Sequence, residues 1–439
     1  MFAVSLVAVM LAYPSPMRGK EVSPWVGKVV IMKATNTRFF RVNPDGSETD
    51  VGALTRTDYA VIREQGDRVL IKQDGTEGWI LKSDAALPEE GIAHFGKLIE
   101  MNPNDSAQFA RRSKAHELSG DLDAALKDYD EAIRISPASS SWWNNRANLF
   151  QKKKEYERAL EDYNRSIELN ANSSVVWGNR GNAYGYFRDY EKAIRDYTEA
   201  IRLNPQYTNS IANRGNVYRE TADYDNALAD YAAALRIDPQ FAFGLAQRAE
   251  LYRIRKLYDL AATDVAAAIR IDPRSATAFL VRGNLRRARK EYNLARDDYD
   301  HAIWLEPRLT LAYVERGRMH IELKQYDKAL ADYDAALKGE PKSIPALAAK
   351  ADLLATCPEE RLRNVAKAME LAYLALDRCR GPDGRVLAAL AAALAENRDF
   401  DAAISQMEKA LQVKGYAEQE GEAARLRLNT FKKKQPARE

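Results

Sequence analysis

Two rows of asparagine recur along the chain at a fixed interval. Asn145, Asn179 and Asn213 are spaced by 34 residues, and Asn148, Asn182 and Asn216 follow each of them three residues later. A primary amide carries two N–H donors and a carbonyl acceptor, the complement of a peptide group. A row of amides can pair with a polypeptide backbone whatever its side chains, or it can be spent on neighbouring groups and water. Each such bond contributes only about 0.5–1.5 kcal/mol net, so recognition by this chemistry needs a row. The same interval repeats an arginine (Arg112, Arg146, Arg180, Arg214, Arg248, Arg282, Arg316) and an aspartate (Asp128, Asp162, Asp196, Asp230, Asp264, Asp298, Asp332). Matched one to one, these form an ion-pair ladder more readily than a phosphate-binding row.

Reaction chemistry is not written in the sequence. There is no HExxH, phosphate loop, serine elbow or CxxC. The Asp-Tyr-Asp triplets ending at Asp130, Asp300 and Asp334 place two carboxylates two residues apart, where a helix turns them different ways and they cannot share an ion. Cys357 and Cys379 are the only cysteines, and with four histidines they match no zinc spacing. The expectation is a chain that is not an enzyme and uses no metal or cofactor. With 66 basic against 63 acidic side chains, it has no general attraction to nucleic acid.

Prolines at Pro103, Pro137, Pro205, Pro239, Pro273, Pro307 and Pro341 mark the period, with Ala171 at the one missing place. Setting them at position 32 defines seven repeats over residues 106–343. Position 20 is always alanine (Ala125 through Ala329). Position 24 is tyrosine except for Val265, and position 8 is always small, as in Gly181, Gly215, Gly283 and Gly317. Small residues let two helices approach, the ring fills the space between them, and proline ends the second helix. In such a hairpin, turning near position 15, the arginine at position 7 and the aspartate at position 23 lie at similar heights. Arg146 with Asp162, Arg180 with Asp196 and Arg214 with Asp230 are therefore expected to knit helices within or between repeats.

This pattern resembles the tetratricopeptide-repeat family. The resemblance implies a mainly α protein, an α-solenoid in which antiparallel hairpins coil into a superhelix. It further implies that positions 2, 5, 6, 9, 12 and 13 face a concave groove. Asn145, Asn179, Asn213 and Gln247 then occupy inward position 6, and Asn148, Asn182, Asn216 and Asn284 occupy inward position 9. A protein or peptide segment held along repeats 2 to 4 is the implied partner. Phe243, Leu280, Leu311 and Val314 fall on lining positions of repeats 5 to 7. They form either a side-chain pocket or a contact with the C-terminal hairpins. The family's carboxylate clamp lacks its cations here, with Asn144 at the lysine position and Asn209 and Asn213 at the later basic positions, so a C-terminal carboxylate is not the expected ligand.

Residues 22–85 differ in character. Short runs rich in valine, isoleucine and aromatics, separated by turns such as Gln65-Gly66-Asp67, predict a small all-β barrel. Gly78-Trp79-Ile80 resembles bacterial SH3-like domains, which makes Trp25, Tyr59 and Trp79 either peptide or cell-wall contacts or core residues. Residues 86–105 read as a capping helix, 344–417 as two divergent hairpins and 418–439 as a C-terminal capping helix with a polar tail. Residues 1–21 begin with an apolar stretch, MFAVSLVAVMLAY, too short to span a bilayer. It matches a secretory signal and implies an extracytoplasmic protein, periplasmic or secreted. Read as a buried segment, it leaves the protein cytoplasmic. The expected function is a non-catalytic scaffold for protein–protein interaction; the alternative is a structural envelope protein whose barrel contacts cell-wall material or peptide. The sequence sets no oligomeric state. If the register is right, Ala193→Leu overpacks a hairpin and lowers stability by about 1–3 kcal/mol, measured by chemical denaturation.

Overall fold

A computed structural model describes residues 25–34, 37–43, 47–54, 56, 58–73 and 76–438. The apolar segment at 1–21 lies outside the described residues, as do parts of the turns at Asn43–Gly46 and Asp74–Gly75. The chain divides into two compact units, Met1–Glu155 and Tyr156–Glu439.

The first unit opens with eight strands: β1 (Val29–Met32), β2 (Arg38–Val42), β3 (Glu48–Ala53), β4 (Asp58–Ala60), β5 (Arg63–Gln65), β6 (Arg68–Gln73), β7 (Thr76–Leu81) and β8 (Ala85–Ala86). They pair antiparallel in two sheets, ordered β4-β1-β8 and β3-β2-β7-β6-β5. Neither sheet closes into the expected barrel. β1 shows why. Its Val30 and Met32 point into a core with Phe39, Tyr59, Ile71 and Ile80. Ile31, on the opposite face, packs with Phe95 and Ala115 of the helices that follow. The small sheet is thus covered by helices rather than by its own continuation. These helices are α1 (Pro88–Met101), α2 (Ser106–Ser119), α3 (Leu122–Ile135) and α4 (Ser140–Lys152).

The second unit continues the hairpins with α5 (Tyr156–Leu169), α6 (Ser174–Tyr186), α7 (Tyr190–Leu203), α8 (Thr208–Glu220), α9 (Tyr224–Ile237) and α10 (Ala242–Ile254). Then come α11 (Tyr258–Ile271), α12 (Ala276–Ala288), α13 (Tyr292–Leu305), α14 (Thr310–Glu322) and α15 (Tyr326–Gly339). Within each hairpin the residue at position 15 adopts a left-handed conformation. Gly120 does so in repeat 1 (φ 87°); Lys154, Arg188, Ala222, Lys256, Lys290 and Lys324 do so in the others, where a side chain makes the turn costlier. At position 8, a Cβ added to Gly181, Gly215, Gly283 or Gly317 would lie 2.5–2.9 Å from the ring of Tyr197, Tyr231, Tyr299 or Tyr333. In repeat 5, Ala249 packs against Val265 in place of a ring.

In six repeats the position-7 arginine grips the position-23 aspartate of its own repeat through two nitrogens: Arg112–Asp128, Arg180–Asp196, Arg214–Asp230, Arg248–Asp264, Arg282–Asp298 and Arg316–Asp332. Its remaining nitrogen reaches position 25 of the preceding repeat, as in Arg146–Asp130, Arg180–Asn164, Arg214–Thr198 and Arg316–Asp300. This resolves the Asp-Tyr-Asp triplets: the first aspartate serves its own hairpin and the second serves the next.

Four more C-terminal helices follow, α16 (Ile344–Thr356), α17 (Val365–Arg378), α18 (Gly384–Glu396) and α19 (Phe400–Gln412), with a lengthened turn at 357–364 between the first two, and α20 (Lys414–Lys432) closes the series. α18 is apolar nearly all round and lies inside the C-terminal cluster, with every residue from Val386 to Ala395 buried. These helices also fold back onto the turn ends of repeats 3 and 4. The Arg380 amide donates to the Phe187 carbonyl (2.8 Å), Arg188 pairs with Asp383 (2.6 Å), and Lys414 donates to the Ala222 carbonyl (3.0 Å). Arg378 pairs with Glu157 (3.0 Å). Two glycines permit the approach. A Cβ on Gly381 would lie 2.3 Å from the Arg188 carbonyl oxygen, and one on Gly415 2.5 Å from that of Glu220. Cys357 and Cys379 are free thiols.

The two partners of Arg316 differ in exposure, Asp332 at 7% and Asp300 at 49%. Asp332→Ala strands a half-buried guanidinium and is expected to cost about 3–5 kcal/mol in chemical denaturation. Asp300→Ala is expected to cost about 0.2–1 kcal/mol. Equal losses would mean the arginine is held by packing alone.

Candidate functional site

The inward positions differ in their use from repeat to repeat. In repeat 1 the β region occupies them. Arg111 at position 6 donates to the Lys33 carbonyl, and Lys114 at position 9 lies 3.7 Å from Asp58. In repeat 2, Asn145 accepts from Asn144 (3.0 Å) and is hydrogen-bonded to Tyr129, while Asn148 is half-buried.

In repeats 3 and 4 the amides are joined. Asn182 Oδ1 accepts from Asn213 Nδ2 (2.9 Å), and Asn213 Oδ1 from Asn216 Nδ2 (3.5 Å). Asn179 is half-buried on the same helix as Asn182. The position-9 oxygen has a second duty. It accepts the hydroxyl of the position-24 tyrosine fifteen residues on: Tyr197 to Asn182 (2.7 Å), Tyr231 to Asn216 (2.7 Å) and Tyr299 to Asn284 (3.0 Å). The sequence carried a signal for this pairing. Repeat 5 lacks both partners, having Glu250 and Val265. Repeat 7 has Arg318, which cannot accept, and there the buried Tyr333 hydroxyl has no partner among the described residues. Position 9 is therefore partly structural.

Repeats 4 to 7 carry a charged strip that sequence reasoning missed. Arg219 donates to Gln247 (3.0 Å), which is itself buried. Arg253 pairs with Glu250, Arg287 with both Glu315 and Glu322, and Arg318 with Glu315. The signal was present at position 12, where Arg219, Arg253 and Arg287 recur. The apolar lining expected in these repeats is largely core. Leu280 packs with Leu305 and Leu309, and Val314 with Leu353 and Cys357 of the next hairpin. A ligand would not reach either. Phe243 is half-buried against Phe241, and Leu311 is exposed. In the β region Tyr59 is a core residue whose hydroxyl accepts from the Arg56 amide. Trp25 packs at the edge of that core beside Lys82, and Trp79 is half-buried opposite Phe40 and Leu70.

Among the described residues no group of three or more histidine, cysteine, aspartate or glutamate side chains is placed to hold a metal, and no helix is long and apolar enough to cross a membrane. The strip is strongly electrostatic. Burial pushes the Glu315 carboxyl up, but Arg318, Arg287, Arg385 and Arg253 override it and hold it down at about 2. A carboxyl lowered on folding stabilises the protein above its unfolded value near 4.5, and that contribution is lost as pH falls toward 2. Glu315→Gln is expected to lower stability by about 3 kcal/mol at neutral pH. The gap from the native chain should close on acidification below that range; a gap independent of pH would show that packing, not charge, is responsible.

Family models for the tetratricopeptide repeat match residues 140–173, 174–207, 208–241, 83–140 and 274–344, more than half of the chain. No curated protein matches significantly. Among solved structures, the chain is similar to a tetratricopeptide repeat protein from Parabacteroides merdae. Identity is 19% over 62% of this chain and 98% of that one, with a TM-score of 0.46. It is also similar to YrrB, described as a TPR protein with an unusual peptide-binding site (21% identity, 42% and 95% covered, TM-score 0.34). A third likeness is to MamA (21% identity, 37% and 96% covered, TM-score 0.34). With its 34-residue hairpins, its glycine–tyrosine contacts and these model matches, the chain belongs to the tetratricopeptide repeat family, whose fold commonly mediates protein–protein interaction.

Proposed function

We propose that this chain is a non-catalytic scaffold that holds an extended polypeptide segment by its backbone along the inner face of repeats 3 and 4. The observation that carries this reading is the joined amide set Asn182–Asn213–Asn216 on two successive first helices. The position-9 oxygens take the tyrosine hydroxyls, and at position 6 Asn213 donates to Asn182 and accepts from Asn216. Amides there offer both donors and acceptors to a passing peptide group. They discriminate little among side chains, which suits a scaffold.

The test separates the two rows. Peptides selected from a random displayed library on the native protein would be titrated calorimetrically against the native chain and against Asn179→Ala/Asn213→Ala. Affinity is expected to fall by about 1–3 kcal/mol, shared between the two positions, with the fold unchanged. Binding should depend little on salt, because the amides carry no charge. Asn182→Ala should instead lower thermal stability, because it strands the Tyr197 hydroxyl. If the double variant stays folded and binds selected peptides as tightly as the native chain, the amides are structural and the reading fails.

A further inference from the structure

Position 4 of the first helix repeats an aromatic ring with a defined seat. Trp143 donates its indole N–H to the Pro137 carbonyl (2.9 Å), Trp177 to that of Ala171 (2.8 Å), and the Tyr313 hydroxyl to that of Pro307 (3.4 Å). The acceptor is always position 32 of the preceding repeat. Each ring also lies against the guanidinium of its own position-7 arginine, at 4.9 Å for Arg146, 4.7 Å for Arg180 and 5.7 Å for Arg316.

Repeat 4 breaks the pattern. Position 4 is Ile211, too short to fill the seat. Arg214 keeps a ring on one side only, Tyr218 at 5.8 Å. The Pro205 carbonyl, at position 32 of repeat 3, accepts no hydrogen bond from the described residues. A cleft of about 500 Å³ opens there, lined by Ile201, Ile211 and Ile237, by the charged Arg214, Asp230 and Arg236, and by Pro205. That volume is within the range of small-ligand sites, about 300–1,000 Å³. Repeat 5 also lacks an aromatic ring at position 4; there Leu245 packs against Leu235, Ala267 and Ile269, as Ile211 packs against Ala212 and Tyr231 in repeat 4, but the open cleft lies beside Ile211.

We propose that this cleft between repeats 3 and 4 receives an aromatic side chain, an indole above all, from a partner polypeptide. The occupant follows from the molecule's own template. An indole seated as Trp177 is seated meets an acceptor for its N–H in the Pro205 carbonyl, a cationic plane for its face in Arg214, and isoleucine walls for its edge. The site is separate from the amide rows and does not depend on the reading given for them.

N-acetyl-L-tryptophanamide is the probe, titrated against the full chain by calorimetry and ligand-observed NMR. Saturable one-site binding is expected, with N-acetyl-L-leucinamide binding more weakly. Hydrogen exchange should slow on binding at residues 201–211 and 230–237. Ile211→Trp fills the seat from within and is expected to weaken the probe by about tenfold or more. Ala233→Leu narrows the cleft from α9 and should do the same if the first variant does not fold. Absence of saturable binding, protection elsewhere in the chain, equal affinity for the leucine analogue, or undiminished affinity in a folded variant would each overturn the proposal.

Discussion

The arginine at position 7 is the interaction on which the rest of the array depends. One planar group meets three needs at once. Two nitrogens lock the second helix of its own hairpin through a buried aspartate, and a third reaches back to the repeat before. Its face supports the rings at positions 4 and 11. A residue so placed sets the rotation of one helix against the next and the stagger between hairpins. A lysine would supply the charge without the fork or the plane. Because the aspartates are buried, the ladder's cost of desolvation is repaid only when both hydrogen bonds form, which makes it a device for register more than for net stability.

Much of this fold was legible in the sequence because its determinants are local. A 34-residue interval, alanine at position 20 and a proline after each second helix are enough to set the hairpins. The aspartate triplets were legible only in part, since a linear reading shows the spacing but not that the two carboxylates belong to successive repeats. Closure of the β region was not legible. Alternation in a strand says which residues face inward, but Ile31 is apolar whichever neighbour covers it, and here helices cover it. The return of the C-terminal helices left almost no trace. The Lys414 and Ala222 contact spans 192 residues, and the only local hints are Gly381 and Gly415, whose missing side chains make room.

The inner face shows how one residue type can serve two purposes. Asparagine at position 9 accepts a tyrosine hydroxyl, so its recurrence follows from packing and not from ligand chemistry. At position 6 of repeat 4 the Asn213 amide joins Asn182 to Asn216. Leu280 and Val314 fall at lining positions by number, but packing covers them: Leu280 meets Leu305 and Leu309, and Val314 meets Leu353 and Cys357 of the first C-terminal hairpin, the second of the two alternatives for this lining. Further along, the polar groups give way to paired charges, so the inner surface changes from neutral donors to a balanced ionic strip.

Open helical arrays lose structure from their ends, since a terminal hairpin has one neighbour where an internal one has two. In the second unit the last helices are tied to the turns of its earliest hairpins through Arg188, Asp383, Phe187 and Lys414. A terminal unit there has a neighbour on each side, one adjacent in the chain and one distant from it. Peeling the end away must break the distant contact at once, which converts gradual unravelling into a single concerted step. The repeat array thereby gains the cooperativity of a globular domain while keeping the long inner surface that only an array provides.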